Sequence, residues 1–184
     1  MDIENHTTFF RVVSIFLAYP ADMRRAKRYI YLEYFIIQPG EMWDGMLEIL
    51  KEKAAQGVDV RVIYDDFGCI TKLPSGYHKK LESLGIRCRV FNPFIPVVSP
   101  LLNNRDHRKV LIIDGKVGFT GGINLADEYI NEKPRFGHWK DTGLMVKGDA
   151  ARGFTLMFLQ MWGLEEKEPD FTPYLTRPLL PAKG

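Results

Sequence analysis

The residues whose types and spacing could do chemistry lie in RDHRKVLIIDGKVGFTGGIN, residues 105–124. His107 and Lys109 are two apart. On a strand such residues share a face, roughly 7 Å apart along the chain, and Arg108, Val110 and Ile112 take the other face. An imidazole beside a fixed ammonium suits a reacting phosphoryl group. The ring can attack phosphorus or hand over a proton, and the ammonium can hold phosphate oxygens as charge builds. Neither role calls for a metal or a cofactor.

Asp114 falls at a turn, where strand parity ends, so its carboxylate is not expected beside His107. Pairing a nearby cation or fixing the hairpin suits it better. Gly121 and Gly122 let backbone come close to a ligand or to a neighbouring strand, because no Cβ intervenes. Asn124 can cap a helix or offer its amide to a phosphate. Each residue alone is unremarkable. Together, His-x-Lys, Asp after four residues and Gly-Gly-x-Asn after six more arise by chance about once in a million chains of this length.

Two carboxylates elsewhere are candidates for supporting roles. Asp141, in WKD at a strand start, either orients His107 through its second ring nitrogen or faces solvent. Glu33 sits inside an otherwise apolar strand. If buried it needs a partner and can support the site; otherwise it lies at an edge. His6, His78 and His138 read as solvated or capping. Arg24, Arg25, Lys27 and Arg28 read as a solvated helix face, with contact to anionic lipid as the sharper alternative.

The elements that must position these groups alternate along the chain. A short helix from Pro20 feeds the strand Tyr29–Ile37. A helix opening at Gly40 and Glu41, with Met42, Met46, Leu47, Ile49 and Leu50 at near-helical spacing, runs to Gly57. Strands are expected at Val58–Tyr64 and Ile86–Phe91, around a helix at Gly76–Leu84. After the proline-rich NPFIPVVSPLLNN comes the strand His107–Asp114, and Asp114-Gly115 is a strong hairpin signal into Lys116–Phe119. A helix from about Ile123, a strand Trp139–Lys147 and a helix Asp149–Gly163 complete residues 1–163 as a single domain. The fold class is α/β, with a mixed β-sheet flanked by helices on both faces. Residues 164–184, charged and proline-rich, read as a tail or linker.

Bulk properties bound the rest. The chain of 184 residues is 46% hydrophobic and 26% charged, an ordinary globular composition. A net charge of +2 is too mild to argue for nucleic acid. Cys69 and Cys88 form neither a disulfide framework nor a zinc site and read as reduced thiols. The apolar run Val12–Pro20 is roughly half the length needed to span a bilayer, so this chain itself is expected to be soluble.

HRKVLIID followed by GFTGGIN resembles the HKD signature of the phospholipase D superfamily. YIYLEYFI, KAAQGVDVRVIYDD, GGINLADEYIN and HWKDTGLMVKG extend the likeness over nearly the whole chain to Trp162, toward the N-terminal catalytic half of a bacterial cardiolipin synthase. Where that family often has Asn before the motif histidine, this chain has Asp106.

The resemblance implies a phospholipase D-like half-domain. It implies exchange of phosphodiesters through a covalent phosphohistidine, with two HKD motifs meeting in one site. One histidine attacks phosphorus and the other protonates the leaving alcohol. His107, Lys109 and Asp114 would be the HKD residues, with Lys109, Asn124, Gly121 and Gly122 around the phosphate and Asp114 supporting the architecture. The substrate would be phosphatidylglycerol, at the cytoplasmic side of a bacterial membrane reached through the full-length protein.

One full motif occurs, since neither His78-Lys-Lys80 nor His138-Trp-Lys140 continues into the pattern. The chain therefore carries half a site, to be completed by a second half or by a second copy across a two-fold axis. Three readings follow. The first is a phosphatidyltransferase half-domain, and the second a homodimeric phosphodiesterase or nuclease. The third is a non-catalytic lipid-binding or regulatory module. The apolar loop Phe94–Pro100 fits acyl chains or membrane as well as it fits burial against the missing half.

Overall fold

The computed structural model describes residues 6–93, 104–166 and 170–175; the apolar loop at 94–100 lies outside the described residues. In chain order the elements are β1 (His6–Arg11), α1 (Val12–Arg24), β2 (Tyr29–Tyr34), α2 (Glu41–Ala55), β3 (Asp59–Asp65), α3 (Asp66–Cys69) and α4 (Tyr77–Ser83). Then follow β4 (Arg87–Phe91), β5 (Lys109–Ile113), β6 (Val117–Gly121), β7 (Thr142–Lys147), α5 (Ala150–Trp162) and α6 (Thr172–Leu175).

The strands form one sheet in the order β1-β7-β6-β5-β2-β3-β4. β2, β3 and β4 run parallel, and β5, β6, β7 and β1 join by antiparallel pairs. Helix α2 supplies a parallel crossover, while the hairpin turn supplies the antiparallel arm. At that turn Asp114 and Gly115 both have positive φ, 54° and 63°, the twist of a type I′ turn.

Strand alternation splits the core in two. Ile30, Leu32, Tyr34, Val60, Val62, Leu111 and Ile113 face α2 and α4, whose apolar stripes carry Met42, Met46, Leu50 and Leu81. Tyr29, Tyr31, Ile63, Val110 and Ile112 face Phe158, Leu159 and Trp162 of α5. β5 is thus buried on both sides, and each Leu or Ile fully buried there contributes about 2 kcal/mol. The expected mixed sheet with helices on both faces is the observed architecture.

Three expectations change. Pro20 does not open a short helix but lies inside the longer α1, which follows an extra strand, β1. The helix expected from Ile123 is absent. Leu125 bridges to Ile37 and only a 3-10 turn forms, at Asp127–Tyr129. The segment expected to be an unpacked tail is packed in part. Phe171 and Tyr174 lie against the α5-side core, and the Tyr174 hydroxyl meets that of Tyr31 at 2.7 Å. Charge and proline content masked these two aromatics.

Among the described residues no helix is long and apolar enough to cross a membrane.

Candidate active site

The carboxyl ends of the parallel strands β2 and β3, the start of β5, the end of β6 and the start of β7 all lie at one end of the sheet. In open α/β sheets that end is where ligands bind. It gathers Phe35, Asp65, His107, Lys109, Gly121, Gly122, Asn124 and Asp141.

His107 precedes the β2–β5 ladder, whose last pair is Tyr34 with Lys109. Its side chain is exposed, while Lys109 is 5% exposed. One ring serves both groups. Phe35 lies 4.8 Å from the imidazole, centroid to centroid, and 5.4 Å from the Lys109 ammonium. The ammonium donates to the His107 carbonyl at 2.7 Å, and Thr120 Oγ1 donates to the Lys109 carbonyl at 2.9 Å.

Burial and then the Lys109 charge lower the proton affinity of His107, against Asp106 and Asp65, which raise it. The imidazole is therefore held toward its neutral, nucleophilic form. Burial likewise brings Lys109 down to about 8, opposed by Asp106 and Asp141. At neutral pH it remains mostly charged but poorly hydrated, a state that gains much from an arriving phosphate oxygen.

The other expected site residues divide. Asn124 is buried, with Oδ1 accepting from Ile36 N at 3.0 Å and Nδ2 donating to the Tyr129 hydroxyl at 2.8 Å. It stitches its loop to the end of β2, and its second amide hydrogen has no acceptor among the described residues. Gly121 allows close strand approach, since a Cβ there would stand 3.0 Å from the Thr142 carbonyl oxygen. A Cβ at Gly122 would run into the Asp141 carboxylate. Gly121 thus sits close against a neighbouring strand, whereas Gly122 leaves room for a carboxylate, a role its sequence does not suggest.

Asp141 lies in the field of Lys109, and its Oδ1 accepts from Thr142 N at 2.7 Å. No hydrogen bond joins it to His107 among the described residues. Its Oδ1 is instead turned to the backbone of its own strand start.

Asp114 belongs to the other end of β5, roughly 17 Å along the strand from Lys109. There it accepts three backbone N–H groups: Lys27 at 2.9 Å, Arg28 at 2.8 Å and Tyr29 at 3.0 Å. It clamps the α1–β2 connection to the hairpin, the structural duty its place at a turn suggests.

Glu33 is fully buried on the α5 side of β2. Arg108 Nη2 lies 2.8 Å from Glu33 Oε1, and Arg108 Nε donates to Asp106 Oδ1 at 2.9 Å. Burial first, then the Asp106 carboxyl, push Glu33 up to about 9 against the pull of Arg108. Glu33 is thus a neutral acid behind the strand that carries His107. The Asp106 side chain meets Glu33 and Arg108, so its identity has consequences.

Phe35, Asp65 and Tyr129 were not foreseen. Phe35 reads as one more apolar residue at a strand end, and Tyr129 as core. Asp65 carries a signal, as the acid that follows the alternating Val58–Tyr64, but in sequence that position says no more than where the strand ends. Among the described residues no cluster of histidine, cysteine or carboxylates is arranged to hold a metal ion.

Comparison with known proteins adds a family. Residues 20–162 match the model described as cardiolipin synthase, PLD-like domain. An uncharacterized protein of Streptococcus mutans is 54% identical over 153 residues, covering 83% of this chain and 33% of that protein. A cardiolipin synthase of Geobacillus kaustophilus is 41% identical over 166 residues, covering 89% of this chain and 33% of the synthase. The chain thus spans about a third of the length of the curated relatives it matches. Among solved structures, NucT from Helicobacter pylori superposes with a TM-score of 0.65 at 14% identity, covering 86% of this chain and 96% of that one. Nuc from Salmonella typhimurium, a phospholipase D family member, gives 0.64 at 16% identity, covering 87% and 95%. At such identities the likeness to both is one of fold.

Proposed function

The chain belongs to the cardiolipin synthase, PLD-like domain family, and from that membership we propose that it is one half of a phosphatidyl-transfer site in which His107 attacks phosphorus. The observation that carries this reading is the pairing of an exposed imidazole, held toward its neutral form, with a dehydrated ammonium on one phenyl ring.

A ring nitrogen of His107 forms a bond to phosphorus of phosphatidylglycerol, and the P–O bond to the glycerol headgroup breaks. The departing oxygen takes a proton from the histidine of a second HKD motif. A hydroxyl of a second phosphatidylglycerol then gives its own proton to that second histidine, attacks phosphorus and displaces the His107 nitrogen. Lys109 holds the non-bridging oxygens throughout, and the second amide hydrogen of Asn124 can add another donor. Gly121, Gly122 and Asp141 shape this edge, and Asp141 keeps Lys109 charged.

The second motif comes from a partner half in the full-length protein, which also supplies contact with the membrane. A second reading pairs the chain with itself as a homodimeric phosphodiesterase. It is favoured by one observation, that a fold carrying one such motif superposes on 96% of NucT with a TM-score of 0.65.

The test compares His107→Ala with the parent, alone and joined to a second half, on phosphatidylglycerol vesicles and on a soluble phosphodiester. Turnover by the competent assembly is expected to fall by about a thousandfold or more. Unchanged turnover in the variant overturns the catalytic reading. Cleavage of DNA without turnover of lipid overturns the choice of substrate, and a strict monomer that is active alone removes both ways of completing the site.

A further inference from the structure

Asp65 ends β3 fully buried and takes no part in the reaction just described, yet its carboxylate gathers three donors. Oδ1 accepts from Gly68 N at 3.0 Å and from Arg105 Nη1 at 3.1 Å. Oδ2 accepts from Asp106 N at 3.0 Å. The first of these bonds caps the short α3, a duty that asparagine performs as well as aspartate. The other two reach across 40 residues to the segment immediately before His107.

That segment needs an anchor. His107 lies two residues outside the β2–β5 ladder, so no strand pairing fixes its backbone. Lys109 holds the His107 carbonyl, but the same ammonium must turn to a phosphate when substrate arrives. Arg108 N donates to Asp106 within the segment itself, at 3.3 Å. Among the described residues the ties from other strands include the Arg108 Nη2 pair with Glu33 Oε1 at 2.8 Å. Two more run to Asn92 beyond β4, its Nδ2 to the Asn104 carbonyl at 2.9 Å and Arg105 Nη2 to its carbonyl at 3.4 Å. Asp65 is the one that holds the Asp106 peptide itself. Arg105 also lies over the Phe67 ring, 5.6 Å from its centroid.

We propose that Asp65 is a positioning residue for His107, fixing the Asp106 peptide through its second oxygen and through Arg105 so that the imidazole meets phosphorus in line. The inference rests on the reading of His107 as the reacting group. The buried charge adds to this, since Asp65 raises the proton affinity of the imidazole while burial and Lys109 lower it. A latch made of one carboxylate and two donors leaves the imidazole tip free while its backbone stays still. Misplacement by about an ångström at a reacting group costs on the order of a hundredfold in rate.

Asp65→Asn separates this role from simple capping. Its one remaining carbonyl oxygen can serve the α3 cap or the Asp106 amide, but not both with the guanidinium. The measurements are an NMR titration of the His107 imidazole in the whole chain and steady-state kinetics in the active assembly. The titration midpoint is expected to move down, and kcat to fall by about a hundredfold with KM within about threefold. Arg105→Met leaves the buried carboxylate in place and removes only the guanidinium. It is expected to lower kcat by about tenfold while moving the midpoint up, and it decides the matter should Asp65→Asn fail to fold. A midpoint and kcat like the parent's, in whichever variant is folded, overturn the proposal. Loss of turnover in His107→Ala with Asp65→Asn unaffected sinks this inference alone. Full turnover in His107→Ala sinks the reading beneath it, and the titration still reports on Asp65.

Discussion

Replacing Glu33 by glutamine should change how stability depends on pH, and the structure sets the size of the change. The carboxyl is fully buried and is pushed from an ordinary 4.5 to about 9 by burial and by the Asp106 carboxyl. Because the folded value lies above the unfolded one, the protonated form stabilises the fold fully below pH 4.5. That contribution is lost as pH rises, until the folded group ionises near 9. Inside this window the unfolded chain binds one proton fewer than the folded chain, so each pH unit costs about 1.4 kcal/mol. From pH 6 to pH 8 the parent should lose about 3 kcal/mol relative to Glu33→Gln, which carries no proton to lose. Urea unfolding followed by tryptophan fluorescence at pH 6, 7 and 8 measures both proteins. Parallel curves would refute the reasoning, because they would mean that Glu33 is ionised in the fold and paired with Arg108. Asp106→Asn removes the neighbouring carboxyl and offers an amide donor, so it should flatten part of the parent's slope.

Asp114→Ala deprives three backbone N–H groups of their acceptor and puts alanine at a positive φ. It should cost about 3 kcal/mol of stability by chemical unfolding and leave the His107 titration unmoved. Gly122→Ala drives a Cβ into the Asp141 carboxylate and displaces it. Losing that charge should take Lys109 below its present value of about 8, as Asp141→Asn should also do, read as a downward shift of the alkaline limb of kcat/KM. Lys109→Arg keeps its charge at any working pH, so that limb should move upward even if the rate falls.

The elements that could be read from sequence are those whose signals are local. β2, α2, β3, β4, the β5–β6 hairpin, β7 and α5 follow from alternation, helical spacing and an Asp-Gly turn, and their observed ends differ from the expected ones by a few residues. What could not be read depends on distant partners. Asn124 looks like a helix start, but its amide is taken by Ile36 N and Tyr129, which hold the chain extended. Pro20 looks like a beginning because the residues before it lack a clear period, yet they complete α1.

The same division runs through the site. His107 and Lys109 were legible because a two-residue spacing on one strand is itself geometry. Phe35 and Asp65 were not, because their approach depends on how β2 and β3 lie beside β5. Asp141 was legible as a candidate support with two open readings, and its electrostatic effect on Lys109 depends on how β7 lies beside β6 and β5.

The most direct measurement is capture of the covalent intermediate. An assembly that turns over phosphodiester would be quenched in acid-free denaturant and digested, and its peptides examined by mass spectrometry and phosphorus NMR. A phosphoramidate on the peptide carrying His107, absent from His107→Ala, is the expected result. An adduct found only on the second motif, or none in an assembly that plainly turns over, would contradict the assignment of His107 as the group that attacks.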